Sequence, residues 1–162
     1  MVGMADIKTA KSGATFTCLG LGSCIGLAAF DRESGVAGMI HIMLPEAFKD
    51  KPVEKAGKFA DTGIVAMLDE MFRLGANPSR LVMAYAGGAQ VFKFGNPSST
   101  TLDVGLRNSA AVEKILKAKG FRVLGIDIGG PNGRTVTYEQ ATGIIKVRTV
   151  NGGEKVLCNL KG

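Results

Sequence analysis

Two side chains stand out for the chemistry they could do. His41 is the single histidine among 162 residues, and Cys24 is one of three cysteines, with Cys18 and Cys158. Imidazole is the natural acid–base group near neutral pH. A thiol is a strong nucleophile only as thiolate, which a neighbouring base or cation promotes. A Cys–His pair would therefore support covalent acyl transfer: attack on a carbonyl carbon, a thioester, then hydrolysis. Cys24 follows Leu19-Gly20-Leu21-Gly22-Ser23. Glycines let a backbone approach a substrate closely, and N–H groups near Gly22 and Ser23 can be aimed at a developing oxyanion. Plainer accounts compete with this one. Free cysteine is commonly a small buried hydrophobe. A lone histidine in an apolar strand is ordinarily satisfied by a backbone carbonyl.

The pair matters only if the chain brings it together. Residues 24–30 (CIGLAAF) and 36–44 (VAGMIHIML) are apolar runs joined by the polar turn DRESG. That pattern predicts a hairpin. Cys24 opens its first arm, and His41, 17 positions on, lies near the end of the second. Antiparallel pairing would bring the two level at one end of a sheet. Both arms are apolar on both faces, so the sheet should be covered on both sides.

The remaining elements must hold this hairpin. Residues 15–21 read as a preceding strand. Apolar residues at Ala56, Phe59, Ala60, Ile64, Met67, Leu68, Met71 and Phe72 have helical spacing and predict a helix over 54–74, with Met67 and Met71 in the core. Gly75 is placed to end it, and Asn77-Pro78 stops continuation. Residues 80–86 return as a strand closed by Gly87-Gly88-Ala89-Gln90. This glycine run either lets a substrate backbone pass, with Gly87, Gly88 and Gln90 near it, or packs tightly against the hairpin. Residues 92–104 are the least regular stretch. Asn108 is predicted to cap a helix over 109–119. Strands follow at 121–128, 135–139 and 144–150, with a short edge strand at 155–160. Loop 129–133 reads as a hairpin turn, since it lacks the strand-to-helix context of a phosphate cradle. Arg134 and Asp127 are placed to pair across it. The sum is one α+β domain over residues 1–162, a layered α/β sandwich with a mixed or antiparallel sheet and two principal helices.

Composition removes several classes. Hydrophobic residues make up 46% and charged residues 21%, which argues against disorder. No apolar run approaches the ~20 residues of a membrane-spanning helix, and the first residues lack the apolar centre of a signal peptide. Three cysteines with no CxxC pair argue against a disulfide framework or a cysteine-rich zinc site. A reducing cytoplasmic setting fits, with no membrane insertion, and no metal or organic cofactor is required. The net charge is +6, but Lys8, Lys11, Lys49, Lys51, Lys55, Lys58, Arg73 and Arg80 are dispersed. A basic surface can equally serve an acidic protein partner, and with two tyrosines, no tryptophan and no aromatic binding motif, nucleic-acid binding is the weaker reading.

The runs LGLGSCIGLAAFD and GVAGMIHIMLP resemble the bacterial chemotaxis family CheD, the chemoreceptor glutamine deamidases. Further stretches agree in order: KFADTGIVAMLDEMFRLGA, AGGAQVF and DIGGPNGRTVTYEQATGIIKVR. The resemblance covers nearly the whole chain. It implies hydrolysis of particular glutamines to glutamate on the cytoplasmic helices of methyl-accepting chemotaxis receptors, and in some members amidase or methylesterase action. It implies a fold like that of the cytotoxic necrotizing factor deamidases. It also implies a second partner, the CheC phosphatase, so the alternative reading is a binding module that docks and regulates CheC. Cys24 matches the family's nucleophile and His41 its base. The family's third residue is a threonine six positions before the nucleophile, where this chain has Cys18. A thiol is a poor acceptor for imidazole. Strand alternation turns Thr17 to the opposite face, so Thr17 could serve instead only through a bulge.

Overall fold

The computed structural model describes residues 1–90 and 104–162. Nine strands and two helices are present among them: β1 (Ile7–Ala10), β2 (Thr15–Leu21), β3 (Ile25–Asp31), β4 (Ala37–Ile42), α1 (Ala60–Arg73), β5 (Leu81–Gly87), α2 (Val104–Lys119), β6 (Arg122–Ile128), β7 (Arg134–Glu139), β8 (Ile144–Thr149) and β9 (Gly153–Asn159). One sheet runs β1-β4-β3-β5-β6 and the other β2-β7-β8-β9. Pairing is antiparallel except between β5 and β6, whose connection carries α2.

The alternation within the strands explains the layers. Ala28, Met39, Ala84 and Ala86 of the five-stranded sheet face Phe16, Cys18, Leu21, Val136 and Tyr138 of the other sheet. Their neighbours Ile25, Leu27, Ile40 and Met83 face Ile64, Met67 and Met71 of α1 and Val112 and Leu116 of α2. The result is three layers: sheet, sheet, helices. β3 and β4 sit in the middle, buried along their whole length. Each such Leu, Ile or Met contributes about 1.5–3 kcal/mol. The covered hairpin, the two helices and the core positions of Met67 and Met71 thus match the reading from sequence.

Four expectations need correction. β1 was not anticipated, because the short polar run Ile-Lys-Thr-Ala carries no periodic signal. The helix predicted from residue 54 begins at Ala60, after a 3-10 turn at Ala56–Lys58 and an extended Phe59. Asn108 lies inside α2 rather than capping it. Loop 129–133 is no hairpin turn: it joins β6 of one sheet to β7 of the other. The irregular stretch 92–104 falls outside the described residues up to 103.

Candidate active site

In the β3–β4 ladder Ile25 pairs with Ile42 and Gly26 with His41. One step further, Cys24 stands across from Met43. Side chains alternate, so Cys24 and Gly26 share a face with Met43 and His41. The hairpin therefore places Cys24 and His41 on one face as diagonal neighbours rather than directly level. Diagonal positions lie about 7–8 Å apart, within reach of long side chains. His41 is buried and Cys24 half-buried.

The turn before Cys24 is held by three consecutive carbonyls. Ala89 N–H donates to Gly22 O at 2.8 Å and Gly88 N–H to Cys24 O at 2.9 Å. Between them, Asn108 Nδ2 donates to Ser23 O at 2.9 Å and to Met43 O at 2.9 Å. One buried amide thus ties the two hairpin ends together. Among the described residues, the N–H groups of Ser23 and Cys24 enter no turn or loop backbone bond.

Gly87 and Gly88 of the glycine run pack tightly against the hairpin end and α2. Gly87 has φ 121°, and a Cβ there would strike the Cys24 carbonyl. Gln90 N–H donates to Gly130 O at 2.8 Å, which brings loop 129–133 to the same rim. That loop is anchored by buried Arg134. Its guanidinium meets the Asp127 carboxylate at 3.1 Å, as the sequence suggested, and donates to the carbonyls of Asp127, Gly129 and Asn132.

Neither residue expected in the third position bonds the imidazole among the described contacts. Thr17 pairs with Thr137 in unbroken register, and the irregularity of β2 falls later, between Cys18 and Leu21. No bulge turns Thr17 inward. Cys18 does face the hairpin: its Sγ is 3.3 Å from where a Cβ on Gly26 would sit, across from His41. Burial pushes its thiol up to about 12, so it stays protonated. Burial raises the Cys24 thiol as well. The partner of His41 Nδ1 is the carbonyl of Val2, at 3.1 Å.

Val2 and the tertiary role of Asn108 were missed in the sequence. A main-chain carbonyl has no side-chain signature. Asn108 did have one: with Val112 and Leu116 it recurs every four positions on the inward stripe of α2.

A family model described as CheD chemotactic sensory transduction matches residues 43–149. A protein of Desulforamulus reducens, named probable chemoreceptor glutamine deamidase CheD, is 45% identical over 96% of this chain and 93% of its own. The chain belongs to the CheD family. CheD proteins of the same printed name from Clostridium tetani and Desulfitobacterium hafniense are 42% and 46% identical, covering 95% and 96% of this chain and 93% and 96% of theirs. Among the described residues of this CheD chain, no cluster of three or more His, Cys, Asp or Glu is arranged to hold a metal. No described helix is long and apolar enough to cross a membrane.

Proposed function

We propose that this chain hydrolyses side-chain amides of glutamine in a chemotaxis receptor to glutamate, with Cys24 as nucleophile and His41 as base. The single observation that carries the reading is the shared face of these two residues on one buried hairpin. The printed names of the relatives supply the substrate class.

The chemistry follows from the groups present. Cys24 rests as a thiol, since burial raises its pKa. Attack therefore requires transfer of its proton to His41 as sulfur bonds to the amide carbon. The N–H groups of Ser23 and Cys24, on a turn whose carbonyls are already engaged, stabilise the resulting oxyanion. The imidazolium returns its proton to nitrogen as the C–N bond breaks and ammonia leaves. Water then attacks the thioester, His41 takes its proton, and glutamate and the free thiol are released. The same steps accept a glutamyl methyl ester, with methanol as leaving group.

Mass analysis of a receptor fragment before and after incubation tests the reading. The wild-type chain should convert glutamine to glutamate, and Cys24→Ala and His41→Ala should both abolish conversion while keeping a native circular dichroism spectrum. Conversion by Cys24→Ala at the wild-type rate removes the nucleophile assignment.

A further inference from the structure

Neutral imidazole has one N–H and one lone pair, and the partner of one nitrogen decides which nitrogen holds which. General-base action on Cys24 needs that lone pair on the nitrogen facing the thiol. We infer that the main-chain carbonyl of Val2 is the positioning group that fixes His41 as the Nδ1–H tautomer and so presents Nε2 to Cys24. The inference rests on the reading of Cys24 and His41 as the reacting pair.

A carbonyl oxygen only accepts, so the 3.1 Å contact requires the proton on Nδ1. Water is poorly placed to compete, because Val2 is 1% exposed and His41 4%. The acceptor is itself built into the fold. Val2 N–H donates to Thr17 O at 2.7 Å, and the Val2 side chain joins the core between the sheets. Gly3 N–H donates to Asp6 Oδ2 at 3.1 Å, and Asp6 N–H returns a bond to Gly3 O at 2.9 Å. Ala5 N–H then donates to His41 O at 2.9 Å, while His41 N–H donates to Asp6 O at 3.2 Å. Segment 2–6 thus grips His41 by its N–H, its carbonyl and its ring. The turn that permits this uses a left-handed φ of 66° at Ala5, a conformation a Cβ disfavours. Gly57 closes the segment from behind, since a Cβ there would collide with Ala5 O.

The other two candidates supply nothing equivalent. Thr17 contributes its carbonyl, which holds Val2. Cys18 contributes a buried thiol, a weak donor and acceptor. The Val2 carbonyl also has a part to play after proton transfer. Its bond to the imidazolium becomes charge-assisted and strengthens as the reaction proceeds.

The test uses the full chain labelled with nitrogen-15 histidine, where the ring shifts of the single histidine report its tautomer. Wild type should show Nδ1–H in the neutral state, and Cys18→Thr should keep it. Val2→Gly, which removes the buried anchor, should give a mixture of tautomers. Its kcat should drop about ten- to a hundredfold with KM nearly unchanged, the size of a lost bond to a charged group. Val2→Ile should restore both. Nε2–H in the wild type overturns the inference, as does a tautomer change in Cys18→Thr. An unchanged tautomer and kcat in Val2→Gly also overturns it. Should Val2→Gly fail to fold, the wild-type and Cys18→Thr spectra decide alone. The tautomer is read without substrate, so loss of the Cys24 assignment and loss of this one are separate results.

Discussion

At the scale of single residues, the state of the resting thiol has a measurable consequence. Burial raises the Cys24 pKa above the ordinary thiol value of about 8.5. The thiolate is therefore scarce at neutral pH and accumulates only beyond the range where a free cysteine has already ionised. Alkylation of Cys24 by iodoacetamide, followed by peptide mapping, should be slower than for a cysteine peptide at neutral pH. It should still be accelerating where the peptide has levelled off. A plateau below the free-thiol range would mean a resting thiolate–imidazolium pair. Cys24 and His41 were legible because a rare residue type on a glycine turn and a polar ring in an apolar strand both need a reason. The acceptor on Nδ1 was not legible, since the contact joins a backbone atom of residue 2 to residue 41 and no residue type encodes it.

At the scale of elements, the hairpin depends on a helix that does not touch the substrate in the proposed chemistry. Asn108 of α2 donates to carbonyls on both sides of the hairpin mouth. Asn108→Ala leaves Ser23 O and Met43 O without those donors. That should cost about 1–3 kcal/mol in urea unfolding and lower the rate of deamidation per folded molecule. Asn108→Asp should be worse, because an ionised carboxylate donates nothing and faces two carbonyl oxygens. An Asn108→Ala chain as stable and as active as wild type would remove this role. The strands β2 to β9 were readable as strand-like runs between turns, and α1 from its apolar period. The start of α2 was misplaced because asparagine is a common cap, and only tertiary contacts reveal that this one is interior. Which strands share a sheet was also hidden. Loop 129–133 has hairpin composition, yet it carries the chain from one layer to the next.

At the scale of the whole molecule, the two ends of β3 do different work. Its far end is Asp31, seven positions from Cys24 and so about 23 Å away along the strand. The Asp31 carboxylate is fully buried, which alone would raise its pKa. Two bonds from Arg80, each 3.0 Å, and the N–H groups of Glu33, Asn77 and Ser34 outweigh that and hold it well below the usual carboxylate range. A depressed folded pKa means that the stabilisation is complete above the unfolded carboxylate value of about 3.9. It is lost as pH falls from there toward the folded value. Asp31→Ala should cost about 3 kcal/mol near neutral pH, mostly through the stranded N–H donors, since Arg80 is partly exposed. The gap to wild type should narrow below pH ~4, and activity per folded molecule should be unchanged. A gap that is constant down to strongly acidic conditions would contradict this account.

The pairing of β2 with β7 sets an order of events in time. Thr15 meets Glu139, a separation of 139 − 15 = 124 positions. The β3–β4 hairpin closes across a five-residue turn and can form early, carrying His41 with it. The strand that delivers the nucleophile turn is the edge of its sheet, and it docks only after most of the chain is available. Topologies dominated by such distant pairings fold in milliseconds to seconds rather than microseconds. During refolding, the hairpin that carries both Cys24 and His41 can thus form before β2 and the turn preceding the thiol are seated. Catalytic competence should return in a slower phase than secondary structure. Through that interval the face of the hairpin that carries Cys24 is not yet covered by β2 and β7, so oxidants can reach the thiol more readily than in the finished molecule, where it is half-buried.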